Sequence, residues 1–171
     1  NAIGFTQDIT ERKLAENELR DAKEFVDSTI NAQTDTFFVF NPKSRRAIKW
    51  NETFSRTSGY TDEEISEMKA PDSYYDQDDL EMARKGLEQL AATGSATVEM
   101  SLVTKTGKRI PFEYRVSLIE ITGGENIAIS IGRDITERKQ AEERLRFSQR
   151  FLESANRHLK MGPLLKEFVD E

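Results

Sequence analysis

The chain has 171 residues, and its 25 basic and 31 acidic side chains give a net charge of −6 with no basic stripe, which excludes nucleic acid as the expected partner. The absence of cysteine excludes disulfides, cysteine-ligated zinc and thiol nucleophiles. No signal peptide or long apolar run is present, so a soluble cytoplasmic module without direct membrane contact is expected; any membrane span would lie elsewhere in a longer parent chain.

The six letters DITERK occur at Asp8–Lys13 and again at Asp134–Lys139, an offset of 134 − 8 = 126 residues. A repeat at domain-sized spacing marks two exits of one domain type. Residues 1–9 therefore read as the last strand of a preceding unit. Thr10 reads as the N-cap of a connecting helix over 10–31. Ala15, Leu19, Ala22, Val26 and Thr29 step by four and three along it, and Leu14, Phe25 and Ile30 widen the stripe. That pattern suits either a coiled coil between two chains or one helix packed on its own domain.

The apolar run Thr36–Asn41, stopped by Pro42, reads as a buried strand, and Arg46–Trp50 as its hairpin partner. Asn51 caps a short helix that ends at Gly59, and Thr61 caps another whose first turn holds Asp62, Glu63 and Glu64. Pro71 and Asp72 break the chain. Asp76–Gly94 then reads as a helix with Leu80, Ala83, Leu87 and Leu90 on one face. Three strands follow. Val98, Met100 and Leu102 alternate in the first, and Ile110, Phe112, Tyr114, Val116 and Leu118 in the second, with a turn at Gly107 between them. In the third, Ile127, Ile129 and Ile131 alternate with Ala128, Ser130 and Gly132. The small face carries no charge, so the expectation is a cover on both sides, with the 10–31 helix over one of them. The whole predicts an α+β domain: a five-stranded antiparallel sheet, helices on one face, and long terminal helices.

This order resembles the PAS (Per-Arnt-Sim) sensory domain with its C-terminal PAC motif. The resemblance rests on WNETFSRTSGYTDEEI (Trp50–Ile65), on the hairpin TKTGKRIPFEYRVSLI, and on the exit IGRDITERKQAEERL (Ile131–Leu145). It implies a preceding PAS domain ending at 1–9, a PAS domain over 32–136, and an exit helix with the start of a following domain over 137–171. The tail from Leu159 to Val169 resembles the first helix of a GAF domain. The resemblance also implies a sensory and dimerisation module of a multidomain two-component signalling protein, such as a sensor histidine kinase. It would act without catalysis of its own and relay a signal to an output domain. A ligand-free spacer that only sets dimer geometry is the alternative. A homodimer through the helical extensions is expected, since Ala141, Leu145, Ser148, Leu152, Ala155 and Leu159 continue the spacing of the entry helix.

No catalytic residue and no metal site is expected, because no nucleophile–base constellation or phosphate-cradling loop appears. The one histidine, His158, lies in the exit helix without a phosphoacceptor context. A haem site of the family would want a histidine in Asp76–Gly94, which has none and leaves Met82 and Met100 as poor axial ligands. A cysteine–flavin adduct has no cysteine, so no cofactor is expected and the ligand is left open. Phe38, Phe40, Trp50, Phe54, Met100, Phe112 and Tyr114 are the candidate pocket lining, against a reading of them as plain core. Arg115 and Arg133 alternate with buried positions and read either as binders of an acidic metabolite or, the favoured reading, as exposed strand residues. The signal junction is Asp134, Thr136 and Arg138, with Thr136 at the N-cap and an Asp134–Arg138 bond setting the angle of the exit helix.

Overall fold

A computed structural model describes residues 2–167, with side chains from 11 to 155. In chain order the elements are α1 (Ala2–Asn31), β1 (Thr36–Phe40), β2 (Ala47–Trp50), α2 (Glu52–Ser58), α3 (Asp62–Glu67), α4 (Gln77–Thr93), β3 (Ser95–Val103), β4 (Arg109–Ile121), β5 (Glu125–Asp134) and α5 (Thr136–Glu167). One five-stranded antiparallel sheet runs β2-β1-β5-β4-β3, as expected for the PAS-like α+β fold. The chain divides into two compact units, Asn1–Arg133 and Asp134–Glu171.

The local signals act where the sequence puts them. Thr61 and Glu64 form a reciprocal capping box at α3. Lys105 grips the Glu64 carboxylate at 2.7 Å and holds it below the usual carboxylate range. Gly94 ends α4 at φ 78°, a left-handed conformation that glycine adopts without a Cβ penalty. Above the sheet, α2, α3 and α4 close a core in which Ile65, Leu90, Leu102 and Phe112 are almost fully buried. Each such side chain contributes about 1.5–3 kcal/mol.

Two expectations fail, each for a physical reason. Residues 2–9 are helical and continue α1, so Thr10 lies inside the helix and caps nothing. A strand needs a neighbour to satisfy its backbone, and none of the five strands pairs with this segment. A helix satisfies the same groups locally. Second, α1 does not cover β5. It is exposed over residues 11–26, and only its last turns dock, through Asp27 to Lys49 and through the Ile30 carbonyl and Asn31 side chain. The small face of β5 is instead the buried one. Register pairs Phe38 with Ser130, Phe40 with Ala128 and Thr36 with Gly132. Small residues in β5 leave room for the aromatic rings of β1 and β4, so the strand needs no helix of its own.

Asn51 joins three elements. Its side-chain oxygen accepts from Phe54 N–H at 3.0 Å, capping α2, and from Phe37 N–H at 3.0 Å, at the start of β1. Its amide nitrogen donates to the Ile30 carbonyl at 3.3 Å and the Asp35 carbonyl at 3.0 Å. The residue is 1% exposed, so these four groups have no water to replace it. Asn51→Ala removes a cap and orphans buried backbone groups, which should cost about 2–4 kcal/mol in urea unfolding. A loss under ~1 kcal/mol would mean the network is not what joins α1 to the sheet.

Candidate functional site

A cavity of about 70 Å³ lies between the sheet and α4, with Phe54 of α2 and the Ala70–Tyr75 segment closing it. β1 supplies Phe38 and Phe40, β3 supplies Met100, and β4 supplies Tyr114, all from the sequence-derived set. Trp50 and Phe112 are elsewhere. The Trp50 indole N–H donates to Asp62 Oδ1 at 2.7 Å on the exposed side of α3. Phe112 stacks on Tyr114 with ring centroids 5.5 Å apart, in the core but off the cavity wall.

Tyr74 and Tyr75 also line the cavity and are not in the sequence-derived set. They follow the Pro71–Asp72 break, and nothing in a loop's periodicity says which way its rings turn. Tyr74 meets Phe38 and Phe54 edge-on at 5.7 and 5.5 Å. Tyr75 meets Tyr114 edge-on at 5.8 Å. Burial pushes both Tyr74 and Tyr75 well above the ordinary tyrosine value, so each stays a protonated donor. The Thr36 hydroxyl donates to the Gly132 carbonyl at 3.1 Å. The Tyr74 hydroxyl is buried and meets no hydrogen-bond partner among the described residues. An unmet buried hydroxyl costs about 1–3 kcal/mol. No charged side chain lines the cavity.

The outer face of the sheet is different. Arg133 pairs with Asp35 at 3.1 Å and Arg115 with Glu113 at 3.1 Å, so both arginines are exposed and already matched to acids. Asp35 raises the Arg133 value further. Among the described residues no cluster of three metal-ligating side chains occurs. The His158 side chain and the end of the GAF-like tail lie outside the described residues.

At the junction Asp134 is the last residue of β5 and Thr136 the first of α5. Thr136 is therefore not the N-cap. The Lys139 N–H bonds to the Ile135 carbonyl at 2.9 Å, which makes Ile135 the cap residue. Asp134 Oδ1 accepts the Thr136 N–H at 2.7 Å and does the capping in its place. A β-branched apolar residue at a cap position gives no sequence signal, which is why the threonine looked the better choice. Arg138 pairs with Glu142 at 3.2 Å, one turn further along α5.

The family model for the PAS domain matches residues 34–137. The chain belongs to the PAS domain family. It is 33% identical over 141 residues to the methyl sulfide methyltransferase-associated sensor of Methanosarcina acetivorans, covering 80% of this chain and 14% of that protein. It is 30% identical over 127 residues to the sensor histidine kinase TmoS of Ectopseudomonas mendocina, covering 72% of this chain and 13% of that one. The chain thus spans about a seventh of the length of these two sensors. A PAS domain from Colwellia psychrerythraea superposes with a TM-score of 0.60 at 19% identity, over 68% of this chain and 98% of that chain, a likeness of fold.

One contact in the PAS domain is tight enough to test. A Cβ on Gly132 would sit 2.5 Å from Thr36 Oγ1 and 2.6 Å from the Tyr114 ring. Gly132→Ala should cost about 1–3 kcal/mol by overpacking and lower the thermal midpoint by roughly 3–10 °C. An unchanged midpoint would mean that Thr36 and Tyr114 step aside freely.

Proposed function

We propose that this domain is the sensory and dimerisation module of a multidomain signalling protein. The state of its core cavity passes through Asp134, Thr136 and Arg138 to α5, and from there to an output domain such as a histidine kinase. The observation that carries this reading is the continuity of β5. Ser130 lines the cavity, Gly132 holds the Thr36 hydroxyl, and Asp134 caps the outgoing helix, all on alternate positions of one strand. A shift of Thr36 or Tyr114 has a route of four residues from cavity wall to helix cap. The relationship to two named sensors, one of them a sensor histidine kinase, supports the same reading. A cavity of about 70 Å³ favours a small molecule over a tetrapyrrole or a flavin ring.

Dimerisation draws support from exposed apolar side chains on both terminal helices. Leu14, Leu19, Phe25 and Val26 stand out on α1, and Leu145, Phe147, Phe151 and Leu152 on α5. Phe147 is 73% exposed, a large apolar area that helix pairing between two copies would remove from water. Sedimentation equilibrium should return twice the chain mass as concentration rises. A mass that stays monomeric at high concentration counts against pairing.

Asp134→Ala leaves the sheet and core untouched while removing the carboxylate that caps α5. The near-ultraviolet circular dichroism should be retained, and autophosphorylation or other output of the full-length parent should change severalfold. Unchanged output would sink the relay and favour a spacer that only sets dimer geometry.

A further inference from the structure

We propose that the core cavity binds a small, neutral, mostly apolar molecule carrying one hydrogen-bond acceptor, held by donation from the Tyr74 hydroxyl; this rests on the reading of the cavity as the sensory site. Three observations converge on that class. The first is charge. All the lining side chains are uncharged, and a buried anion or cation would have no counter-ion to replace its water. Amino acids, carboxylates and phosphates are therefore the wrong chemistry.

The second is size. An apolar cavity of about 150 Å³ holds benzene. This one is about 70 Å³, so its guest is smaller than benzene, on the order of five non-hydrogen atoms. The walls that meet the guest are aromatic and aliphatic, among them Phe38, Phe54, Leu90 and Met100.

The third is the Tyr74 hydroxyl, one of the polar groups of a lining that also holds Thr36, Tyr75, Tyr114 and Ser130. Thr36 donates to Gly132, and the Tyr75 and Tyr114 rings meet edge-on. The Tyr74 hydroxyl is a buried donor without a partner among the described residues. Its ring is wedged edge-on against Phe38, Phe54 and Tyr60, so the hydroxyl is held in place. A pre-positioned donor in an uncharged apolar cavity selects a guest that presents an acceptor such as a carbonyl, ether or hydroxyl oxygen.

The test uses the 171-residue chain and three probes of nearly one shape. They are 2-butanone, which carries an acceptor; 2-methyl-1-butene, its hydrocarbon counterpart; and propionate, its anionic counterpart. Side-chain NMR titration should show saturable shifts of the Leu90 and Met100 methyls and the Tyr74 ring with 2-butanone, weaker ones with the alkene and none with propionate. In Tyr74→Phe, which keeps the ring, 2-butanone should weaken roughly threefold to tenfold while the alkene is unaffected. Binding of propionate as tight as that of 2-butanone would overturn the proposal. So would the absence of cavity shifts with every probe, or a preference for 2-butanone that survives Tyr74→Phe. The sensory reading fails separately. If 2-butanone binds but leaves the output of the full-length parent unchanged, the ligand class stands and the sensory role falls. If no probe binds while Asp134→Ala still alters output, the ligand class falls and the relay stands.

Discussion

The fold depends on the side chain of Asn51. An amide has one acceptor oxygen and two donor hydrogens, and here both ends are spent on backbone groups of three different elements. The oxygen caps α2 and ties down the start of β1. The nitrogen holds the carbonyls that end α1 and precede β1. An aspartate could perform the first task and not the second; a serine could cap the helix without reaching the rest. The entry helix, the central part of the sheet and the cavity-closing helix are thereby referred to one buried point. Movement of any one of them against the others breaks bonds that no water is present to replace.

Around that point the sheet is built on complementarity of size. β1 brings phenylalanines and β5 answers with Ser130 and Ala128, while Gly132 lets Thr36 and Tyr114 approach closer than any side chain would allow. The cavity is what this arrangement leaves unfilled. It is bounded by large rings whose positions are set by small neighbours, so its shape is sensitive to β5 although β5 contributes little of its surface.

Much of this was legible in the residues. Caps at Asn51 and Thr61, the glycine stop at Gly94 and the alternation in β3 and β4 all act through neighbours a few positions away, and local patterns report local physics. The alternation in β5 was visible too, but not which face would be inside. Ala128, Ser130 and Gly132 looked like a face in need of cover because single-strand patterns do not say how large the cross-strand partners are. Tyr74 was missed for a related reason: a ring after a proline break has no period to place it. The cap at Ile135 and Asp134 was read one residue late, since threonine is the better cap in isolation and the strand before it decides where the helix begins.

The twice-written DITERK adopts two conformations. In its first copy all six residues are helical, whereas in the second Asp134 ends a strand, Ile135 turns, and the helix starts at Thr136. The letters themselves are therefore neutral, and the neighbouring sheet decides between the two. Sequence of this kind makes a serviceable seam. A domain can be added, lost or duplicated at that point without either neighbour being redesigned, because the joint takes its shape from whatever stands beside it. The two copies in this chain stand 126 residues apart.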